Sequence, residues 1–180
     1  MLAFLEKVIR NSGVFEQKVR QIGSKIGINP NWLMLVMWIE SRLNPAIDNP
    51  ITGAAGLIQF MPDTARQYGT TVEQLRRLNA IDQLDYVYKY LSVFKGKLHS
   101  FVDTYFAVFF PRAIGKSPDF VMQAQHLTAE QIAKANRIYD LNHDGKITVA
   151  EVKQALSKFI PQQFAAEFGP TPTSGNVGEL

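Results

Sequence analysis

The chain has 180 residues, 46% of them hydrophobic, and its 19 basic and 16 acidic side chains leave a formal net charge of +3. These proportions are typical of a soluble globular protein with one good core, and so mild a charge does not predict nucleic acid as a partner. Because the chain contains no cysteine, disulfide scaffolds, thiolate metal sites and thiol nucleophiles are excluded.

The N-terminal region lacks the pattern of a secretory signal. Glu6 interrupts the apolar residues of the stretch 1–9, and no small-residue cleavage site follows it. Apolar residues at helical spacing predict two helical pieces over residues 3–27, interrupted at 11–13 and closed by Gly27. We therefore expect a helical start to the chain and no Sec signal peptide.

A central, buried helix is predicted next. Asn29 and Pro30 are typical of a helix N-cap and first turn, and the eight residues 32–39 are apolar on every side of a helix. This run is too short to span a bilayer, which takes about 20 residues, so no membrane span is expected. The helix is predicted to end near residues 44–45, and a polar loop follows up to Gly56.

Further helices are predicted in the rest of the chain, and no run alternates as a strand does. One helix begins at Pro62, a second covers about 80–95, and a third covers 101–110 before Pro111. A capping pattern at Thr128 begins a helix that is expected to reach about residue 139. Another helix is predicted over 149–160, and the fold class is therefore all-α.

Residues 140–151 have the pattern of an EF-hand calcium loop. Such a loop places oxygen ligands at fixed positions and a glycine at its sharp turn, where Gly145 stands here. The predicted ligands are Asp140, Asn142 and Asp144, the backbone carbonyl of Lys146 and the bidentate carboxylate of Glu151. The alternative is a surface turn that binds nothing. Because a single EF-hand is visible, Ca²⁺ is expected to be structural, although a calcium-sensor domain is a further hypothesis.

Glu40 ends the predicted central helix, directly after its apolar run. Val36, Met37 and Leu43 flank it on the same helical face, so its charged form is disfavoured and its pKa should rise. A glutamate of this kind can act as a general acid. The alternative is that Glu40 marks the point where the helix leaves the core, with Arg42 and water beside it.

Two motifs resemble those of a known enzyme family. Glu40-Ser41, followed sixteen residues after the glutamate by GLIQFMP at 56–62, resembles the first two motifs of the soluble lytic transglycosylases, relatives of goose-type lysozyme. The resemblance covers roughly residues 25–115. It implies a lysozyme-like transglycosylase domain over 1–120, and we expect an EF-hand helix-loop-helix packed on it at 121–160 and a flexible tail or linker at 161–180.

The resemblance implies cleavage of the β-1,4 bond between N-acetylmuramic acid and N-acetylglucosamine in peptidoglycan. Glu40 would act first as the acid and then as the base, closing a 1,6-anhydro ring on the muramic acid. By the same analogy Ser41 would orient the sugar or Glu40, Gln59 would bind the substrate, and Phe60 and Met61 would form an apolar wall or belong to the core. The expected partner is the glycan strand, bound by a monomer at the cell wall, in the periplasm or with a phage particle.

The third motif of the family is only partly present. Tyr105 and Ala107 fit the usual Ala-Tyr-Asn-Ala-Gly, but Phe106 and Val108 replace its asparagine and glycine. Tyr105 is therefore a candidate substrate contact, and Tyr139 is a weak candidate for a late tyrosine motif.

Two other functions stay open. A lysozyme-type hydrolase that inverts the configuration at the anomeric carbon would need a second carboxylate about 6.5 to 9.5 Å from the first. Asp48, Asp63 and Asp103 are the candidates. A non-catalytic module that binds the cell wall is the other possibility.

Overall fold

The computed structural model describes residues 1–8 and 10–169. In this part of the chain nearly all regular structure is helical, and β-structure is limited to isolated bridges, so the all-α prediction is confirmed. The α-helices are α1 (Ser12–Ile26), α2 (Pro30–Ser41), α3 (Pro62–Gln67), α4 (Val72–Arg77), α5 (Ala80–Ser92), α6 (Phe101–Phe109), α7 (Ala129–Ala135) and α8 (Val149–Ser157). Short 3-10 helices cover Leu5–Lys7, Pro111–Ala113 and Gln162–Glu167.

The chain divides into two compact units, Met1–Gly115 and Lys116–Leu180. The first contains α1 to α6, in which α1 packs on α2 and α5, and α2 packs on α6. The second contains α7, α8 and the loop between them. None of the helices described has the length and apolarity that a membrane-spanning helix needs.

Helix α2 forms the centre of the first unit. Its residues 33–37 are completely buried, as the all-round apolar pattern predicts. Each such side chain contributes about 1.5 to 3 kcal/mol to folding. The start of the helix is also as predicted, because the Asn29 side chain accepts a hydrogen bond from the backbone N–H of Asn31 at 2.8 Å.

Helix α2 ends at Ser41, earlier than the predicted end near 44–45. Arg42 and Leu43 both adopt the left-handed conformation, with φ of 54° and 61°. Their N–H groups bond back to the carbonyls of Trp38 and Met37. This closure satisfies the last carbonyls of the helix and turns the chain away directly after Glu40.

Other boundaries also differ from the prediction. The break between the first two helical pieces precedes Ser12 instead of covering 11–13, and helix α4 was not predicted. Helix α7 ends at Ala135, short of 139, where the Asn136 side chain donates to the carbonyl of Ile132 at 2.9 Å. Helix α8 ends before 160, and part of the predicted tail forms the last 3-10 helix. The rest of that tail, from residue 170, lies outside the described residues.

Gln83 of α5 is a fully buried side chain that joins three separate segments of the first unit. Its Oε1 accepts from the N–H of Leu57 at 2.9 Å, and its Nε2 donates to the carbonyls of Pro45 at 2.6 Å and Leu75 at 2.7 Å. Gly56 makes room for it, since a Cβ added there would lie 2.6 Å from Oε1. Gln83 thus fixes both ends of the loop that follows α2.

We expect Gln83→Leu to lower the free energy of unfolding by about 3 kcal/mol, because it leaves one buried N–H and two carbonyls without a partner. Urea unfolding would measure the change. Gln21→Leu, at an exposed position of α1, is the matched control and should change the value by less than about 0.5 kcal/mol. Equal stability of the two variants would contradict the role given to Gln83.

Candidate active site

Glu40 lies half-buried in the last turn of α2. Burial raises the pKa of its carboxyl from 4.5 to about 7, and a hydrogen bond with Tyr105 acts in the opposite direction. The predicted rise in the pKa of Glu40 is confirmed. At neutral pH the group is present in both its protonated and its charged form, and either form is available for proton transfer.

Tyr105 reaches Glu40 from α6, the helix that packs on α2. Its ring stacks on that of Phe109, with centroids 5.6 Å apart, and the side chain is buried. The structure therefore brings together Glu40 of the first motif and Tyr105 of the third. Phe106, which replaces the usual asparagine, is only 1% exposed and belongs to the core.

Tyr90 of α5 is a site residue that the sequence analysis missed. Its hydroxyl donates to the carbonyl of Ala107 in α6 at 2.6 Å. That carbonyl has no helical partner, because the residue four positions later is Pro111, which lacks an N–H. The pKa of Tyr90 is raised to about 12 by burial and then by Tyr68 and Glu40, so its phenol stays neutral near the carboxyl.

Aromatic rings surround Tyr90 and fix its position. Phe60, Tyr68 and Phe94 meet its ring edge-on, at centroid distances of 5.8, 5.7 and 5.8 Å. Phe60 is buried in this cluster, whereas Met61 is 47% exposed. Of the two residues predicted as an apolar wall or core, Phe60 therefore belongs to the core and Met61 faces solvent.

Of the two roles that the resemblance implies for Ser41, orienting the sugar or orienting Glu40, its position fits the second. The side chain is only 1% exposed, and its hydroxyl oxygen lies 2.9 Å from the carbonyl oxygens of both Met37 and Leu57, which share its one proton. A hydroxyl engaged in this way is not available to a sugar. Ser41 instead joins the end of α2 to the turn that carries the second motif.

Gln59 lies in that turn, with φ of 53°. The turn is closed by paired backbone hydrogen bonds between Ala55 and Phe60, at 3.0 and 2.8 Å. The Gln59 Nε2 donates to the carbonyl of Gly56 at 3.2 Å, and the side chain remains half-buried. Gln59 thus stabilises the turn itself.

The three aspartates considered as second carboxylates all have other partners. None of them is among the groups that shift the pKa of Glu40. Asp48 pairs with Arg76 at 2.8 Å, Asp63 pairs with Arg66, and Asp103 accepts from the Ser100 hydroxyl and from the Gly115 N–H.

The predicted calcium loop lies in the second unit, between α7 and α8. Gly145 has φ of 79°, as the sharp turn of such a loop requires. The carboxylates accept backbone hydrogen bonds: Asp140 from Asp144 and Gly145, and Asp144 from Lys146. Asn142 accepts from Asp144 as well. Tyr139, the candidate for the late tyrosine motif, is buried in this unit.

Glu151 is the buried carboxylate of the loop. Its Oε1 accepts from the N–H groups of Leu141 and Asn142, and its Oε2 accepts from the N–H and the hydroxyl of Thr148. Within residues 1–8 and 10–169, no three His, Cys, Asp or Glu side chains are grouped closely enough to hold a metal ion. The calcium site therefore stays a prediction.

A family model for the transglycosylase SLT domain matches residues 17–109. The match covers just over half of the chain and includes Glu40, Ser41, Gln59, Tyr90 and Tyr105. Comparisons with curated proteins and with solved structures found no match.

We expect the stability of the protein to depend on pH through Glu40. Because the pKa of Glu40 in the folded chain is about 7, against an ordinary value of 4.5, the folded state binds the proton more tightly than the unfolded state does. The free energy of unfolding should therefore fall as the pH rises from 4.5 to 7, by up to about 3 kcal/mol.

Glu40→Gln tests this dependence. Relative to the parent chain, the variant should gain stability at pH 8 and little or none at pH 4.5, as measured by urea unfolding at both values. Glu6→Gln, at an exposed position of the first unit, should leave the pH dependence unchanged. A gain that is the same at both pH values would show that Glu40 has no raised pKa.

Proposed function

Because the chain belongs to the transglycosylase SLT domain family, a family of lytic transglycosylases that act on the peptidoglycan of cell walls, we propose that it cleaves the β-1,4 bond between N-acetylmuramic acid and N-acetylglucosamine without water. The product would carry a 1,6-anhydro ring on the muramic acid. The observation that carries this proposal is the half-buried Glu40, whose pKa of about 7 suits both proton donation and proton removal.

The proposed reaction uses one carboxyl group twice. Protonated Glu40 gives its proton to the glycosidic oxygen while the bond from that oxygen to C1 of the muramic acid breaks. The Glu40 carboxylate then takes the proton of the C6 hydroxyl of the same sugar, and the C6 oxygen bonds to C1. Glu40 ends in its protonated form, so the cycle is closed with no water consumed.

Among residues 1–8 and 10–169, no second carboxylate shifts the pKa of Glu40. The candidates Asp48, Asp63 and Asp103 are held by other partners, and none shifts the pKa of Glu40. This favours the single-carboxylate reaction over an inverting hydrolysis.

Substrate contacts are proposed for the residues that border the site. Tyr105 is buried and acts on the substrate through the carboxyl of Glu40, which it holds by a hydrogen bond. Met61 offers an exposed apolar side chain and Gln59 a half-buried amide on the adjoining turn. We propose that a monomer uses these groups on glycan strands, in the periplasm or with a phage particle.

We expect Glu40→Gln to lower the rate of release of anhydro-muropeptides from purified peptidoglycan by at least about 100-fold, because the amide neither donates nor accepts the proton. Mass spectrometry of the products is the measurement. Asp48→Asn, Asp63→Asn and Asp103→Asn are matched controls and should each keep most of the activity.

The products also separate the alternatives. Reducing ends in place of anhydro ends would identify a lysozyme-type hydrolase, and loss of activity in one of the aspartate variants would name its second carboxylate. Binding to cell walls with no release of fragments by the parent chain would indicate a non-catalytic module.

For the second unit we propose that the loop 140–151 binds Ca²⁺ and that the ion stabilises the loop. Carboxylate, amide and carbonyl oxygens are the ligands that Ca²⁺ prefers. The loop offers such oxygens on Asp140, Asn142, Asp144, Lys146 and Glu151. The burial of Glu151 against the loop backbone supports the proposal, because it places a carboxylate inside the loop.

Ca²⁺ at about 100 times its dissociation constant should raise the free energy of unfolding by about 2.7 kcal/mol. Urea unfolding in Ca²⁺ and in chelator, together with calorimetric titration, would measure the effect. Glu151→Gln should abolish most of it, whereas Asp119→Asn, exposed in the same unit, should not.

An unfolding curve of the parent chain that is the same in Ca²⁺ and in chelator would contradict the calcium proposal. Increased binding of a hydrophobic dye on adding Ca²⁺ would instead favour a sensor.

A further inference from the structure

The first unit contains a cavity of about 540 Å³ that Glu40 does not line. It lies between the segment before α1, the left-handed turn after α2 and the start of α5. Its volume is within the range of about 300 to 1,000 Å³ that is usual for small-ligand sites. Nothing in the proposed cleavage reaction uses it.

The charge of this cavity has one sign. Three cationic side chains line it, those of Lys7, Arg10 and Arg42, and no carboxylate is among the lining residues. The nearest acid of the α5 start, Asp82, is held by Asn79, whose Nδ2 donates to it at 2.7 Å. The cavity therefore favours an anionic ligand.

The guanidinium of Arg42 is held in place at the wall of the cavity. It lies 4.9 Å from the centroid of the Trp38 ring, and its Nη1 donates to the Trp38 carbonyl at 3.1 Å. Phe4 in turn stacks on Trp38, with ring centroids 4.5 Å apart and planes within 7°. A guanidinium fixed in this way matches a carboxylate with little loss of side-chain entropy.

The remaining lining residues offer amide groups and apolar surface, which suit a peptide ligand. The side-chain amide of Asn11 and the Nδ2 of Asn44 can pair with peptide N–H and C=O groups. Between them lie small and aliphatic surfaces, among them Leu43 and Ile81. A ligand that suits these groups combines carboxylates, peptide bonds and short apolar side chains.

The cavity lies close to Glu40. Arg42 and Leu43, which line it, follow Glu40 by two and three residues. Because consecutive Cα atoms are about 3.8 Å apart, the Cα atoms of Glu40 and Arg42 are at most about 7.6 Å apart. A ligand branch of a few residues can span that distance.

We propose that this cavity binds the acidic stem peptide that branches from the muramic acid of peptidoglycan. The proposal rests on the proposed function for its choice of ligand. The carboxylates of the peptide pair with Lys7, Arg10 and Arg42, and its alanine methyl groups contact the aliphatic surface. The cavity thus makes the protein prefer glycan strands that carry peptides.

The test is direct binding of the tetrapeptide L-Ala-γ-D-Glu-meso-diaminopimelate-D-Ala to the full chain, measured by calorimetry. Arg10→Glu and Lys7→Glu, both at exposed positions, should each weaken binding about tenfold or more. Lys97→Glu makes the same change of charge near the other end of α5 and should have no such effect. The tetrapeptide with all its carboxyl groups amidated should bind at least about tenfold more weakly.

Equal binding of the tetrapeptide to Arg10→Glu, Lys7→Glu and Lys97→Glu would overturn the proposal. So would inorganic phosphate that binds the parent chain as tightly as the tetrapeptide does, because the cavity would then be a general anion site.

A second measurement compares cleavage of peptide-bearing glycan strands with cleavage of strands stripped by an amidase. Arg10→Glu should lower the ratio of the two kcat/KM values, mainly through KM, and Lys97→Glu should not. If the parent chain cleaves neither strand but binds the tetrapeptide through Arg10, the proposed enzyme function fails and the peptide site stands. An unchanged ratio in Arg10→Glu would mean that the cavity does not select the substrate.

Discussion

The desolvation of one carboxyl group is the constraint on which the first unit depends. Residues 33–37 of helix α2 are completely buried, and Glu40 stands in the last turn that follows them. Burial there raises the pKa of Glu40 to about 7. The same burial that stabilises α2 therefore places a proton donor and acceptor for neutral pH at its end, and the neighbouring elements have to hold it there.

They do so through side chains that satisfy backbone groups of distant segments. Ser41 binds the carbonyl of Leu57, and Gln83 binds the N–H of the same residue. On the opposite side, the Tyr90 hydroxyl donates to the carbonyl of Ala107, which has no helical donor because Pro111 lacks an N–H. This bond holds α6, the helix that carries Tyr105. Buried polar contacts thus attach the turn of the second motif to α2 and α5, and the helix of the third motif to α5. These contacts restrict the movement of the groups around Glu40.

The sequence was sufficient for the features that depend on local chemistry. The Asn29 cap, the buried face of α2 and the raised pKa of Glu40 all follow from neighbouring residues. The end of α2 could not be predicted, because Arg42 and Leu43 adopt the left-handed conformation there, which non-glycine residues rarely do. The partner of Ser41 lies sixteen residues away, and Tyr90 acts across two helices. The sequence signal for the contact of Tyr90 is Pro111, which leaves the carbonyl of Ala107 without a helical donor.

The departures in the third motif alter packing more than the surroundings of the carboxyl. Phe106 is buried, so the side chain that replaces a polar one enlarges the core of α6, while Tyr105 still reaches Glu40. A module that only bound the cell wall would have no use for a desolvated carboxyl, since an amide at position 40 would remove a destabilisation of up to about 3 kcal/mol above pH 7. A protein that uses the proton of Glu40 in a reaction has a reason to keep this destabilising carboxyl. This favours an enzyme that works through Glu40.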